Sequence, residues 1–134
     1  MKKMIPLLMM ILSPDVRGET PDALLKRYEV EAKNANASFA GFSADRGHKL
    51  YLQKGTGSKG EVNCVSCHTL DPKAKGRTRA NKEIEALAPS ANAKRFTDAA
   101  KVEKWFARNC DDVFARPCTP VEKGDFITWL LTIP

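Results

Sequence analysis

Cys64-Val65-Ser66-Cys67-His68 is the stretch on which the reading of this chain turns. Two thiols one helical turn apart, followed at once by an imidazole, form a C-x-x-C-H pattern. At that spacing two cysteines can each add to a vinyl group of a haem, and the adjacent histidine is delivered to the iron. The rivals are a zinc knuckle, which needs four ligands, and a thioredoxin-like redox pair, which sits beside a βαβ pattern. Neither has its supporting residues here. The pentapeptide therefore predicts one covalently bound haem c, with Cys64 and Cys67 as thioethers and His68 as the proximal metal ligand.

The start of the chain supports the same chemistry. Lys2 and Lys3 precede an apolar run, Met4 to Leu12, and Val16-Arg17-Gly18 offers small residues at cleavage positions, so residues 1–18 read as a signal peptide. Nine apolar residues are too few to span a bilayer, and the alternatives are an uncleaved anchor or a disordered leader. After cleavage no stable membrane insertion is expected. The mature protein is expected in an oxidising compartment, the bacterial periplasm, where haem attachment and disulfide formation both belong.

Residues 19–134 are then one small cytochrome c domain. The 134-residue chain carries a formal charge of +6, and loss of a leader holding three cations and one anion leaves about +4. Much of the excess falls in one run after the haem motif, Lys73, Lys75, Arg77, Arg79 and Lys82. That run either steers an acidic redox partner or is a solvated loop. It has no interleaved aromatics, so nucleic-acid binding is not expected.

Helical signals dominate, and the fold class expected is all-α, a small class I-like cytochrome c fold wrapped around its haem. Thr20-Pro21 is an N-cap and first-turn pair before Leu24, Leu25, Tyr28 and Ala32 at helical spacing. A second start falls at Ser43, and Gly47-His48-Lys49-Leu50-Tyr51 carries the small residue and bulky pair by which an early helix crosses a late one. Gly55, Gly57 and Gly60 read as a flexible approach to Cys64. From Leu70 to Arg95 a long loop is expected, with Pro72, Gly76 and Pro89 as punctuation and a haem edge to wrap around. Thr97 is the expected cap of a helix whose apolar face is Val102, Trp105, Phe106 and Val113. Thr119-Pro120-Val121-Glu122 is a capping box before Phe126, Ile127, Leu130 and Leu131.

Asn109 is the odd residue in that scheme. At about 100° per residue it lies within roughly 20° of Val102 and so joins the apolar face. A buried amide without a partner costs on the order of 1–3 kcal/mol. It is either bonded to backbone at a helix end or has a role in the site. The four methionines, Met1, Met4, Met9 and Met10, all lie in the leader, so no thioether remains to ligate iron after cleavage. Methionine is one of the usual partners of histidine at a six-coordinate haem. His48, a lysine, a water or an empty position stand beside Asn109 as candidates. By helical phase His48 faces solvent. Cys110 and Cys118 are expected to pair, closing a loop whose chain entropy is worth only ~2.5 kcal/mol. The bridge is either a staple or a clamp on the backbone next to Asn109. Arg108 adjoins Asn109 but points about 100° away on an ideal helix.

The segments Asn81-Lys82-Glu83-Ile84, Leu87-Ala88-Pro89-Ser90, Arg95-Phe96-Thr97-Asp98, Lys101-Val102-Glu103-Lys104-Trp105, Arg108-Asn109-Cys110 and Cys118-Thr119-Pro120 together resemble the sphaeroides haem protein group of oxygen-binding monohaem cytochromes c. The resemblance covers essentially the mature chain. It implies that Asn109 is the sixth haem ligand in the oxidised protein and leaves on reduction, opening the iron to a small diatomic ligand, O2, NO or CO. It also implies a Cys110–Cys118 disulfide and a dihaem cytochrome c as electron donor. The related cytochrome c double-prime of methylotrophs has histidine at the Asn109 position, which places this chain with the asparagine branch. Ala86 and Ala93 stand where the group carries prolines. The expected function is a periplasmic electron-accepting, gas-binding cytochrome. The other readings are a plain electron carrier, or an enzyme reducing oxygen, nitric oxide or peroxide.

Overall fold

The structure, a computed structural model, describes residues 18–134. The expected signal peptide falls outside the described residues but for Gly18. Among the described residues no helix is long and apolar enough to cross a membrane.

Three helices form the frame. Helix α1 (Pro21–Ala35) starts where the Thr20 hydroxyl accepts from the Ala23 N–H at 3.2 Å, with Pro21 at its first position, and it buries Leu24, Tyr28 and Ala32. Helix α2 (Ala44–Leu52) starts the same way, the Ser43 hydroxyl accepting from the Arg46 N–H at 3.2 Å. The last helix of the chain, Pro120–Leu131, opens with a complete capping box. Thr119 Oγ1 accepts from the Glu122 N–H at 3.1 Å, and the Glu122 carboxylate accepts from the Thr119 N–H at 2.8 Å. α1 and α2 both pack on this last helix. Where α2 crosses it, a Cβ added to Gly47 would stand 2.1 Å from the Asp125 carbonyl oxygen, so only glycine allows the approach. The crossing is the one expected from Gly47, Leu50 and Tyr51. Leu24, Tyr28, Tyr51, Leu87, Phe96, Val102, Ile127 and Leu130 make the core.

Between these elements the chain is more regular than its glycines suggest. β1 (Gly55–Gly57) and β2 (Gly60–Val62) pair antiparallel, Gly55 opposite Val62. They turn at Ser58-Lys59 into Gly60, which has a φ of +82°. The expected flexible approach to Cys64 is thus a hairpin. Next come α3 (Val65–His68), then β3 (Gly76–Arg77) paired antiparallel with β4 (Glu83–Ile84). The Leu70–Arg95 segment is also tied down. The Leu87 and Ala88 N–H groups both donate to the Pro72 carbonyl at 2.9 Å, and Ala86, in a proline position of the resembled group, is buried.

Helix α4 (Ala99–Phe114) precedes the last helix, α5. Its cap is Asp98, whose carboxylate accepts from the Lys101 N–H at 3.0 Å, and not the expected Thr97, whose hydroxyl turns back to donate to the Lys94 carbonyl at 2.7 Å. Two good capping residues stand side by side here, and the anionic oxygens of Asp98 are the stronger acceptor for a helix N-terminus. Ala115, left-handed at φ 55°, closes the far end.

Candidate haem site

α3 is a single turn held from both sides. At its entry the Asn63 side-chain oxygen accepts from the Ser66 N–H at 3.1 Å, and the His68 N–H donates to the Cys64 carbonyl at 3.0 Å. At its exit Thr69 takes a φ of 65°, and the Tyr51 hydroxyl of α2 donates to the Thr69 carbonyl at 2.5 Å. β3 lies directly beneath the turn, where a Cβ on Gly76 would fall 2.0 Å from the Cys67 carbonyl oxygen. These contacts fix the side chains of Cys64, Cys67 and His68 on the wall of one cavity of about 1590 Å³.

The other walls come from α4 and from the residue 79–98 segment. Val102, Trp105, Phe106, Asn109 and Val113 of α4 all border the cavity, at the spacing of one helical face. Asn109 shares the face of Val102 as expected, but it is not buried among side chains. It is exposed into the cavity, and among the described residues its amide makes no hydrogen bond to protein. It also stands five residues before the end of α4, so it is not a helix-end residue held by backbone. Trp105, 42% exposed, is in the same position: a large aromatic that the polypeptide leaves uncovered. Cys110 and Cys118 border the cavity too. Their sulfurs meet, with Cα atoms 5.7 Å apart, joining α4 to the start of α5.

Burial sets the protonation of this wall. It lowers the His68 imidazole pKa to about 4, with the Arg95 guanidinium adding to the effect, so at neutral pH the ring is uncharged and keeps a free nitrogen lone pair. The Cys64 thiol is pushed up to about 11 by burial. Arg95 itself is half-buried on the cavity wall, donating from Nε to the Ala86 carbonyl at 2.8 Å and from Nη2 to the Glu85 carbonyl at 2.5 Å.

His48 is exposed on α2, as its helical phase implied, and does not border the cavity; its ring stacks on Trp129 with centroids 5.0 Å apart. Two expectations change. Arg108 was expected to point away, yet it borders the cavity because its long side chain folds back over Trp105, the guanidinium 5.2 Å from the ring centroid. The basic run is partly spent within the fold. Lys75 bridges Glu83 at 2.7 Å and Glu85 at 3.4 Å, Lys73 holds the Pro134 carbonyl, and Arg79 holds that of Lys59. Sequence reasoning singled out no role for Arg95, whose only signal was its place in the Arg-Phe-Thr-Asp segment.

The donor set suits a haem of the c type. Two unpaired thiols and a neutral imidazole lie on one turn beside a large cavity with Leu87, Val102 and Phe106 among its walls, and a free amide reaches it from a second helix.

Comparison with known proteins agrees with this arrangement. The family described as a domain of unknown function, DUF1924, matches residues 37–130. The chain is 42% identical over 132 residues to the cytochrome c-type protein SHP of Cereibacter sphaeroides, covering 97% of this chain and 98% of the relative. It is 40% identical over 113 residues to cytochrome c″ of Methylophilus methylotrophus, covering 83% and 78%. Among solved structures, oxidised SHP, described as an oxygen-binding cytochrome c, superposes with a TM-score of 0.77 at 44% identity, over 86% of this chain and 98% of that one. Oxidised cytochrome c″ does so with 0.74 at 38%, over 84% and 93%. The all-α cytochrome fold is thus shared. With likeness along nearly its whole length, the chain belongs to the DUF1924 family, that of the c-type cytochromes SHP and cytochrome c″, whose common cofactor is covalently bound haem c.

Proposed function

We propose that this protein is an exported, periplasmic cytochrome that holds one haem c through Cys64, Cys67 and His68, takes up an electron, and binds a small diatomic molecule at a position that Asn109 occupies only in the oxidised state. Haem supplies an iron that cycles between ferric and ferrous and takes O2, NO or CO when a coordination position is free. Cys64 and Cys67 would anchor the group on α3. His68 presents a neutral imidazole, kept so by burial. Asn109 would offer an amide oxygen, a neutral hard donor that suits ferric better than ferrous iron and would bind the reduced metal more weakly. Cys110 and Cys118, paired beside it, hold the backbone from which that amide extends. A dihaem cytochrome c is the proposed donor, as in the resembled group.

The observation that carries this reading is the state of Asn109. An amide on the face of Val102 and Phe106, uncovered and without a protein partner among the described residues, borders the same cavity as His68. In its support, the SHP relative is described as oxygen-binding, and the work on cytochrome c″ concerns detachment of a haem ligand. The test is substitution of Asn109 in the haem-loaded protein. Asn109→Ala is expected to be five-coordinate or water-ligated when oxidised, and still to bind carbon monoxide when reduced. Asn109→His is expected to turn low-spin when oxidised, because imidazole is the stronger ligand for ferric iron. An unchanged ferric spectrum in Asn109→Ala would remove Asn109 as ligand. Intact mass of the secreted protein, one haem heavier and shortened by the leader, tests attachment and export together.

Arg108 favours a second reading, a reductase or peroxidase acting on oxygen, nitric oxide or peroxide. Stacked on Trp105 at the cavity wall near Asn109, its cation is placed to polarise a bound oxidant. Consumption of an oxidant at catalytic protein levels, lost in Arg108→Ala, would support it.

A further inference from the structure

Arg95 differs from the other cations bordering the cavity. Lys59, Arg79, Lys82, Lys94, Lys101 and Arg108 are exposed, whereas Arg95 is drawn half out of water. Its two hydrogen bonds go to neutral main-chain carbonyls, those of Ala86 and Glu85. They position the guanidinium but give it no paired counter-charge. No carboxylate among the described residues pairs with it: Asp98 caps α4, and Glu85, whose charge reaches Arg95 only at a distance, bridges Lys75 at 3.4 Å. Desolvation of that cation is strong enough to lower its proton affinity. A partly buried charge without a counter-charge is costly, and three of its five N–H donors remain unused.

We propose that Arg95 is the anchor for a carboxylate side arm of the haem, and that its charge biases the iron toward the ferrous state. The inference rests on haem occupying the cavity. Haem brings two carboxylates with it, and a guanidinium accepts a carboxylate through two parallel N–H···O bonds, stronger than a single neutral hydrogen bond. Arg95 thereby joins three things: the 85–86 main chain, the cavity wall and the cofactor's rim. The field of a fixed cation on the cavity wall opposes the extra positive charge of ferric iron. Arg95 is a positioning residue that acts through the cofactor and takes no part in ligand chemistry.

The test uses the haem-loaded protein and its Arg95→Gln and Arg95→Lys variants, titrated spectroelectrochemically from pH 5 to 9. In Arg95→Gln the ferric-to-ferrous ratio at a fixed potential is expected to rise on the order of tenfold, a midpoint about 59 mV lower for a one-electron couple. Its midpoint should also become pH-dependent within that window, because a carboxylate deprived of its cation titrates at higher pH and takes up a proton on reduction. Arg95→Lys, which keeps the charge, should recover most of both effects. If Arg95 only secures the 85–86 segment, the variants will lower thermal stability while keeping the parent's midpoint and pH profile, and the proposal fails. Should either variant lose its haem, the ferrous, carbon monoxide-bound parent decides. Cross-relaxation between the Arg95 guanidinium protons and the methylenes of a haem carboxylate arm is required, and its absence overturns the inference. A parent without covalent haem would count against the proposed function instead, and intact mass separates that case beforehand.

Discussion

Arg46 Nε donates to Asp125 Oδ2 at 2.7 Å, joining the first turn of α2 to α5 across 79 residues of sequence. Asp125 is 3% exposed, and its other oxygen accepts from both Arg46 Nη2 at 2.9 Å and the Ser43 N–H at 2.7 Å. The two partners are unequal, because Arg46 is 52% exposed and Asp125 is not. Asp125→Ala is expected to cost about 2 kcal/mol by stranding a part-buried N–H and a cation. Arg46→Ala should cost below about 1 kcal/mol, as water screens its half of the pair. Urea unfolding checks the order of the two, and the haem spectrum should be unmoved by either.

Gly47→Ala tests the crossing of α2 over α5. The added methyl would meet the Asp125 carbonyl oxygen at 2.1 Å and Trp129 Cβ at 2.9 Å. Neither atom can swing away as a flexible side-chain tip would, so the helices must part. A loss of about 2–3 kcal/mol is expected, against the gain that alanine brings to an ordinary helix interior. A stabilised variant in thermal unfolding would contradict the packing.

Glu122 gives the fold an acid dependence. Hydrogen bonds from Arg116 above all, with help from Thr119, hold its carboxyl below its usual value of 4.5 despite burial. A carboxyl with a lowered folded pKa stabilises the fold above the unfolded pKa, and that share is lost as pH falls through the folded value. Glu122→Gln should therefore be less stable than the parent by about 1 kcal/mol at pH 7. The gap should close below pH 4.5, toward the acid end of the titration. A gap constant with pH would show that the capping box works without charge.

Replacing both Cys110 and Cys118 by serine separates staple from clamp. Stability should fall by about 2.5 kcal/mol, the chain-entropy value for so short a loop. If the pair also holds the backbone for Asn109, the ferric spectrum or the midpoint potential should change while haem stays attached. A shift in thermal stability alone would leave only the staple.

What could be read from the sequence was local. Thr20-Pro21, Ser43 and Thr119 with Glu122 each announce a helix start within four residues, and all three starts are where they were expected. Thr97 failed for the same reason, since Asp98 is an equally local signal and the better acceptor. The hairpin at Gly55–Val62 was hidden because strands of three residues, half of them glycine, carry no alternation. Arg46 with Asp125, and Arg95 with the Glu85 and Ala86 carbonyls, depend on where remote or irregular segments come to lie. Helical phase placed Asn109 on the right face but implied burial, because phase knows nothing of a cavity that protein atoms do not fill.

The far end of α4 is seized from several directions. The Ser58 and Lys59 N–H groups of the hairpin donate to the Asp111 and Asp112 carbonyls at 3.3 and 3.4 Å, the Ala115 N–H caps Asp111 at 3.0 Å, and Cys110 is joined to Cys118. A helix gripped at its last turn cannot pivot away from the cavity without tearing the hairpin that leads to Cys64. Under the proposed gating, movement of Asn109 is then left to torsion about its own side-chain bonds, which is picosecond-to-nanosecond motion for a free side chain, where withdrawal of a helix would take microseconds or longer. The cavity wall is a fixed door frame, and the hinge that gating would need is one residue wide.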